Sequence, residues 1–387
     1  MMIEKIYLKN FRNYQELSMC PSKGVNLIYG KNGAGKTNII ESIHYCSLGK
    51  SHRTNSDRDV VNENEEVGFC ELCVNRKNIR TTIKLKLSPH EKKVKQFYIE
   101  NNKVTRFSEL IGKLQCVIFS PEDLLVIKES PALRRKLIDM MISQISTSYF
   151  IALQKYNKVL EQKNALLRNY RFNGYFEREL YDVYNEQLCE YGSEIIQNRR
   201  KYIEQINTIA SDYYYYISDK RDEKLSIQYL CCINNEEDIN KQYKQMIASN
   251  EEQEMNKGTS EKGTHREDIR ISLNNKDIKI YGSQGQIRTA ALCLKMAQIE
   301  LFYSNTGEYP VLLLDDVMSE LDIERRKKVL QINKSIQTFI TCTDESDIDV
   351  GLVDRKYYVF KKDEHACVQK FFDESTTDRK IEEIDFS

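Results

Sequence analysis

The sequence predicts an α/β protein in which mixed β-sheets are built from both ends of the chain and a helical lobe is inserted between them. Three observations set this expectation. Short β-type runs fill the first 120 residues and return after residue 268. A helical apolar period occupies much of the intervening stretch. The prolines agree: Pro21, Pro89, Pro121 and Pro131 punctuate the early part, and the fifth, Pro310, comes only near the end.

The early strands are expected at 3–8, 25–29, 67–74, 81–87, 97–99 and 117–119. After Pro131 the apolar residues Leu133, Leu137, Met140, Met141 and Ile145, then Phe150, Leu153, Tyr156, Leu160 and Leu167, recur at helical spacing until Gly174. A second helical pattern runs from Tyr175 to Ile217; unbroken it is roughly 60 Å long, with Gly192 as the expected bend. Tyr213 to Tyr216 offer rings for base stacking, but four consecutive residues on a helix point four ways, and core packing is the expected use. The polar, acid-rich stretch 236–268 reads as a mobile loop. Strands return at 269–273, 279–281, 311–314, 338–341, 357–360 and 367–371, and the charged tail from Asp373 is expected to fray.

Composition narrows the function classes. Basic and acidic side chains balance at 58 each, so any nucleic-acid contact must use a local patch. Residues 1–58 hold such a patch, nine Lys/Arg against four acids. The N-terminus alternates charged and apolar residues and lacks the apolar core of a secretory signal, and no window is apolar enough to span a membrane. Eleven scattered cysteines fit reduced thiols. Cys70 and Cys73 form one CxxC, but in a strand-like stretch with no second pair, and neither it nor Cys231-Cys232 is expected to serve metal or redox chemistry.

The chemistry begins at Gly30, Lys31, Asn32, Gly33, Ala34, Gly35, Lys36 and Thr37, a G-x-x-x-x-G-K-[ST] run between a strand and a helix that opens with Asn38. Glycines let successive backbone N–H groups turn toward phosphate oxygens, and the helix N-terminus adds its positive end. Lys36 is expected to reach the β- and γ-phosphates of ATP, and the Thr37 hydroxyl to bind Mg2+. Far downstream, the apolar strand 311–314 ends in Asp315 and Asp316. Asp315 is the expected partner for Mg2+, and Asp316 stands where a general base orients water.

Ser283-Gln284-Gly285-Gln286, ahead of an apolar helix, resembles the signature of ABC-type ATPases. That signature contributes a hydroxyl and a helix N-terminus to the γ-phosphate held by the opposite subunit. It lies 28 residues before the strand that carries the two acids. Ser319-Glu320-Leu321-Asp322 is similar to the loop that crosses the dimer seam in that class. The resemblance implies an ATPase head in two parts, 1–125 and 251–387, with the helical lobe at 126–250. Departures are also visible. Asp316 replaces the usual Glu, which implies slow hydrolysis; no histidine lies in Phe339–Asp344; and Ser120-Pro121-Glu122-Asp123 replaces a glutamine loop, leaving Glu122 and Asp123 as candidate γ-phosphate sensors.

Lys36 and Ser283 are 247 residues apart, too close for the long coiled coil of a chromosome protein of the SMC type. Several stretches resemble the RecF family instead: Leu8-Lys9-Asn10-Phe11-Arg12-Asn13-Tyr14, Leu48-Gly49-Lys50-Ser51-His52-Arg53-Thr54, Phe119-Ser120-Pro121-Glu122-Asp123-Leu124, Ser130-Pro131-Ala132-Leu133-Arg134-Arg135, and Gly263-Thr264-His265-Arg266-Glu267-Asp268. Thr264 stands where that family usually has proline. The resemblance implies a cytoplasmic ATPase that forms a homodimer on ATP, binds DNA, and works with RecR and RecO to place RecA recombinase on gapped DNA. It also implies a role for Arg53 between nucleotide and DNA, and for His265 and Arg266 in fixing the strand before the signature. Arg12, Arg134 and Arg135 are open between phosphate contacts and salt bridges within the fold. The competing readings are a transporter's ATPase subunit and a non-hydrolysing ATP-gated clamp.

Overall fold

The computed structural model describes residues 1–371 apart from 64, 122, 124–125, 219–221, 234–237, 332–334 and 363–364. The tail expected to fray lies outside the described residues. The chain divides into two compact units, Met1–Leu124 with Gln298–Ser387, and Leu125–Ala297.

The first unit opens with β1 (Met2–Phe11), β2 (Tyr14–Met19), β3 (Val25–Tyr29) and α1 (Lys36–Leu48). It continues through β4 (Gly68–Arg76), β5 (Ile79–Leu87), β6 (Lys95–Ile99), β7 (Asn102–Lys103) and β8 (Cys116–Phe119). An antiparallel sheet has the order β2-β1-β4-β5-β6-β7. Its alternation is plain in β4, where Cys70, Leu72 and Val74 are buried and Phe69 is exposed. α1 packs among both sheets of this unit: one core joins Ile39, Ile40 and Ile43 to Leu72 and Leu85 on one side and Leu313, Phe339 and Val359 on the other. A helix surrounded in this way reads as apolar without a clear face.

The second unit holds α2 (Pro131–Ile145), α3 (Thr147–Asn173), α4 (Arg178–Ser218), β9 (Leu225–Leu230), α5 (Ile239–Ser249), α6 (Glu251–Lys257), β10 (Asp268–Leu273), β11 (Lys276–Asp277) and α7 (Ile278–Tyr281). α8 (Gln284–Thr306) begins in it. The chain then returns to the first unit with β12 (Val311–Asp315), α9 (Ile323–Gln331), β13 (Thr338–Cys342), β14 (Arg355–Lys362) and β15 (His365–Phe371). These complete a second sheet there, β15-β14-β3-β13-β12-β8, parallel except for β15. β12 and β13 are buried along their whole length, and β12 shows the near-continuous apolar run of a central parallel strand.

Several expectations need correction. The apolar run after Pro131 is two helices: the Ser146 hydroxyl accepts from Tyr149 N at 3.2 Å and caps a new start. Gly192 does not break α4. Its bare Cα admits the Tyr243 ring, whose Cε2 would stand 2.7 Å from an added Cβ. The supposed loop 236–268 contains α5 and α6, because Ile239, Tyr243 and Ile247 form a buried i, i+4, i+8 stripe hidden among polar neighbours. Residues 279–281 form a helical turn after a two-residue strand, with the Asp277 side chain accepting from Lys279 N. Of the four tyrosines only Tyr214 is buried, while Tyr215 and Tyr216 are exposed. Residues 251–297, expected with the head, cluster instead with the helical unit, since β10 pairs with β9 and α6 packs on α3.

Candidate nucleotide site

β3 feeds the glycine loop and α1 follows it. Gly30 has φ 148°, and a Cβ there would lie 2.1 Å from the Val359 carbonyl oxygen, so only glycine can leave β3 this close to β14. The β1–β2 turn grips the far side: Asn13 Nδ2 donates to Ala34 O at 3.0 Å, and the Tyr14 hydroxyl to Gly35 O at 3.2 Å. Lys36 is buried and turns its Nζ back onto the loop, donating to Gly30 O at 2.8 Å and Lys31 O at 3.2 Å. The Thr343 hydroxyl donates to Asn32 Oδ1 at 3.3 Å.

Parallel pairing aligns the carboxyl ends of β3, β13 and β12, where open α/β sheets bind ligands. There the Thr37 hydroxyl meets Asp315 Oδ1 at 2.9 Å, across 278 residues of sequence. The Thr341 hydroxyl donates to the same oxygen at 2.7 Å and accepts from Asp316 N at 2.9 Å, tying the two acids together. Burial pushes the Asp315 carboxyl up, but its contacts with His52, Thr341 and Thr37 outweigh this and hold it below the usual carboxylate value. Asp316 goes the other way: burial raises it, Lys36 opposes and Asp315 adds repulsion. Asp316 also sits at φ 50°, a left-handed conformation that aspartate tolerates better than most residues. A cleft of about 670 Å3 lies over these groups, lined by Asn13, Gly33, Lys36, Thr37, Asn38, Arg53 and Asp316 among others.

The donor set suits Mg2+: a hydroxyl and a carboxylate, both hard oxygens, converge beside one another. His52 adds a second sign. Its Nε2 lies 3.8 Å from Asp315 Oδ2, and both ring nitrogens are buried with no hydrogen-bond partner among the described residues. Such orphaned atoms beside a carboxylate fit an outer contact to a metal-bound water.

The arginines separate. Arg12 forks onto buried Glu41, with Nε to Oε2 at 2.9 Å and Nη2 to Oε1 at 2.6 Å. Arg53 stays largely exposed at the cleft, with Nη1 donating to Asn38 Oδ1 at 2.9 Å. Arg134 is buried and forks onto Asp268 at 2.8 and 2.6 Å. Half-buried Arg135 donates to the Glu267 carbonyl. The geometry of Arg134 is that of the internal salt bridge left open above. Asp123 accepts from Ser120 N and Oγ, closing a local turn; Glu122 lies outside the described residues.

Within the second unit, Ser283 caps α8. Its Oγ accepts from Gln286 N at 3.2 Å while Gln286 Oε1 accepts from Ser283 N at 2.8 Å, a reciprocal capping box. Ser283 and Gln284 are exposed, and open space surrounds the Gly285 Cα. In the first unit, Asp322 caps α9 through Arg325 N at 2.9 Å. His265 Nδ1 meets the Tyr156 hydroxyl at 2.9 Å and its Nε2 the Ser260 carbonyl at 3.2 Å.

The chain matches the family described as RecF/RecN/SMC N terminal domain over residues 2–369. It is 41% identical over 363 residues to a DNA replication and repair protein RecF of Clostridium perfringens, covering 93% of this chain and 98% of that one. The chain belongs to the RecF family. The RecF of Clostridium novyi is 39% identical over 370 residues, 96% and 98% of the two chains. A solved structure of the recombination mediator protein RecF-ATP in the RecFOR pathway is similar with a TM-score of 0.87 at 36% identity, covering 95% and 97%. A Pyrococcus furiosus Smc head domain shares the fold at 0.57 and 19% identity. The ABC-type ATPase architecture expected from the motifs is therefore that of RecF and its SMC relatives. Among the described residues no helix is long and apolar enough to cross a membrane.

Three residues at this RecF-family site escaped sequence reasoning. Thr341 and Thr343 lie on and after a buried strand, and only pairing with β3 and β12 brings them to the loop and the acids. His52 sits in a quoted stretch, but nothing in its spacing points to Asp315.

Proposed function

We propose that this protein is an ATP-dependent DNA-binding factor of recombinational repair, acting at single-stranded gaps as a homodimer closed by ATP. The observation that carries the reading is the junction of the Thr37 hydroxyl and Asp315 beneath the glycine loop. Thr37 and Asp315 are the residues to hold Mg2+, which when bound neutralises phosphate charge. Lys36 exchanges its two loop carbonyls for phosphate oxygens, and the loop amides orient the chain of phosphates. Asp316, raised by burial, accepts a proton from water more readily than an exposed carboxylate does, and its short reach favours slow turnover.

Ser283 supports a composite site: it crowns an exposed helix N-terminus with no room taken by a Cβ at Gly285. Exposed Ile280 and Tyr281 beside it give that surface an apolar rim suited to a second copy. Arg53, in the loop after α1, is exposed at the cleft where its Nη1 meets Asn38 and Glu41, and it is the residue we assign to a DNA phosphate. The RecF relative solved with ATP is described as a recombination mediator of the RecFOR pathway; partnership with RecO and RecR, in loading RecA onto gaps, is the role proposed here. The deciding experiment is the ATPase rate with and without gapped duplex DNA. Stimulation by the gapped substrate is expected; an unchanged rate, with no ATP-dependent DNA retention, would remove the reading.

A further inference from the structure

Cys231 and Cys232 carry no motif spacing in the sequence, but the fold supplies a third ligand. β9 and β10 pair antiparallel with Leu230 opposite Asp268, so the residues just beyond that pair, Cys231 and Glu267, meet at the open end of the ladder. Cys231 Sγ lies 3.2 Å from Glu267 Oε1, Cys232 Sγ lies 3.0 Å from it, and Cys232 N donates to it at 3.2 Å. All three ligand atoms fall within 4.8 Å of one another, and no other such group exists among the described residues.

Glu267 is fixed in place. It is nearly fully buried, and its Oε2 accepts from Arg199 Nη1 at 3.1 Å and from the Tyr229 hydroxyl. Arg199 is itself oriented by Asp139, which it grips through Nε and Nη2. The carboxylate therefore keeps Oε1 aimed at the two sulfurs. We propose that Cys231, Cys232 and Glu267 form a binding site for one thiophilic divalent cation of the Zn2+ kind.

The chemistry balances: one Zn2+ replaces the two thiol protons, which are released to solvent, while Glu267 binds through its carboxylate. Ordinary Zn–S and Zn–O lengths at a tetrahedral angle put sulfur about 3.6 Å from the carboxylate oxygen. The observed 3.2 and 3.0 Å are short of this by about half an ångström, a shift that two partly exposed side chains can make. Arg200 Nη2 lies 3.7 Å from Cys231 Sγ and places a positive charge beside that sulfur. Three protein ligands leave a fourth position for water. The cation would staple β9 to β10 across 36 residues of sequence.

The test uses the full chain, reduced and metal-free. Zn2+ is titrated against a chromophoric chelator, and Cd2+ is followed by its near-ultraviolet thiolate band. One tight equivalent is expected, with a Zn2+-dependent rise in Tm. Cys231→Ser and Cys232→Ser should each weaken it by about 100-fold, while Cys20→Ser, at an exposed lone thiol, changes nothing. Wild-type affinity no greater than that of the double serine variant overturns the proposal. Should that variant fail to fold, alkylation of the wild type decides: Zn2+ must protect Cys231 and Cys232 but not Cys20, and equal labelling with and without Zn2+ overturns it.

Discussion

Asp316 combines three properties that bear on turnover: a left-handed backbone, partial burial and a hydrogen bond from its N–H to Thr341. Asp316→Asn keeps size and the backbone contact but cannot take a proton. It should bind ATP with near-parental affinity and lose about 100-fold or more in hydrolysis rate, measured in single-turnover assays. Parental turnover in that variant would move the base elsewhere. His265 offers a separate handle, because burial lowers its pKa to about 4 against an ordinary 6.5. The folded protein holds it neutral while the unfolded chain protonates it. The stability it contributes is whole above pH 6.5 and is lost as pH falls toward 4, by up to about 3 kcal/mol. His265→Gln should flatten the urea-midpoint profile in that window; an unaltered profile would show that other groups set the acid limb.

Lys163 and Glu254 join α3 to α6 at 2.7 Å, and neither side chain has any exposed surface. Tyr181 and Ser260 hydroxyls also donate to Glu254, at 3.1 Å each. Lys163→Met leaves a buried carboxylate without its cation and should cost on the order of 3 kcal/mol, whereas Lys163→Met with Glu254→Leu should recover much of that. Chemical denaturation of the two variants checks the ordering. The same contact explains what was hard to read. The strand 311–314 was legible because it is apolar on both faces, and the glycine loop because its spacing is tied to one chemistry. The α5–α6 region was not: its acids look like solvent-facing residues until Lys163, distant in sequence, is found to bury one of them. At the site, Lys36, Thr37 and Asp315 were readable from motif, whereas His52 and Thr341 acquire meaning only through the strand order β3-β13-β12. Arg134 could not be assigned from composition, because a guanidinium for phosphate and one for Asp268 look alike in sequence.

For the whole molecule, the composite-site proposal makes a prediction that a single-chain site does not. Lys36→Met disables the loop of its chain, and Ser283→Arg blocks the helix end that meets the opposite nucleotide. Each homodimer should be inactive. A mixed dimer retains one site with an intact loop and an intact Ser283, so mixing should restore up to roughly a quarter of parental activity if random pairing gives half mixed dimers, each with one working site of two. Crosslinked mixed dimers as inactive as their parents, beside an active crosslinked wild type, would remove Ser283 from the opposite site.

The strand order also has a consequence during synthesis. β3, which carries the nucleotide loop, is flanked by β13 and β14, and neither neighbour is translated until after residue 337. At about 5–20 residues per second, the strand waits roughly 15 to 60 s for its first partner. Throughout that interval Val25–Tyr29 leaves the ribosome as an apolar segment with both edges open, the kind of surface that holdase chaperones cover. A nascent chain interrupted between residue 37 and β13 therefore has the whole glycine motif in its sequence and neither of the strands that pair with β3.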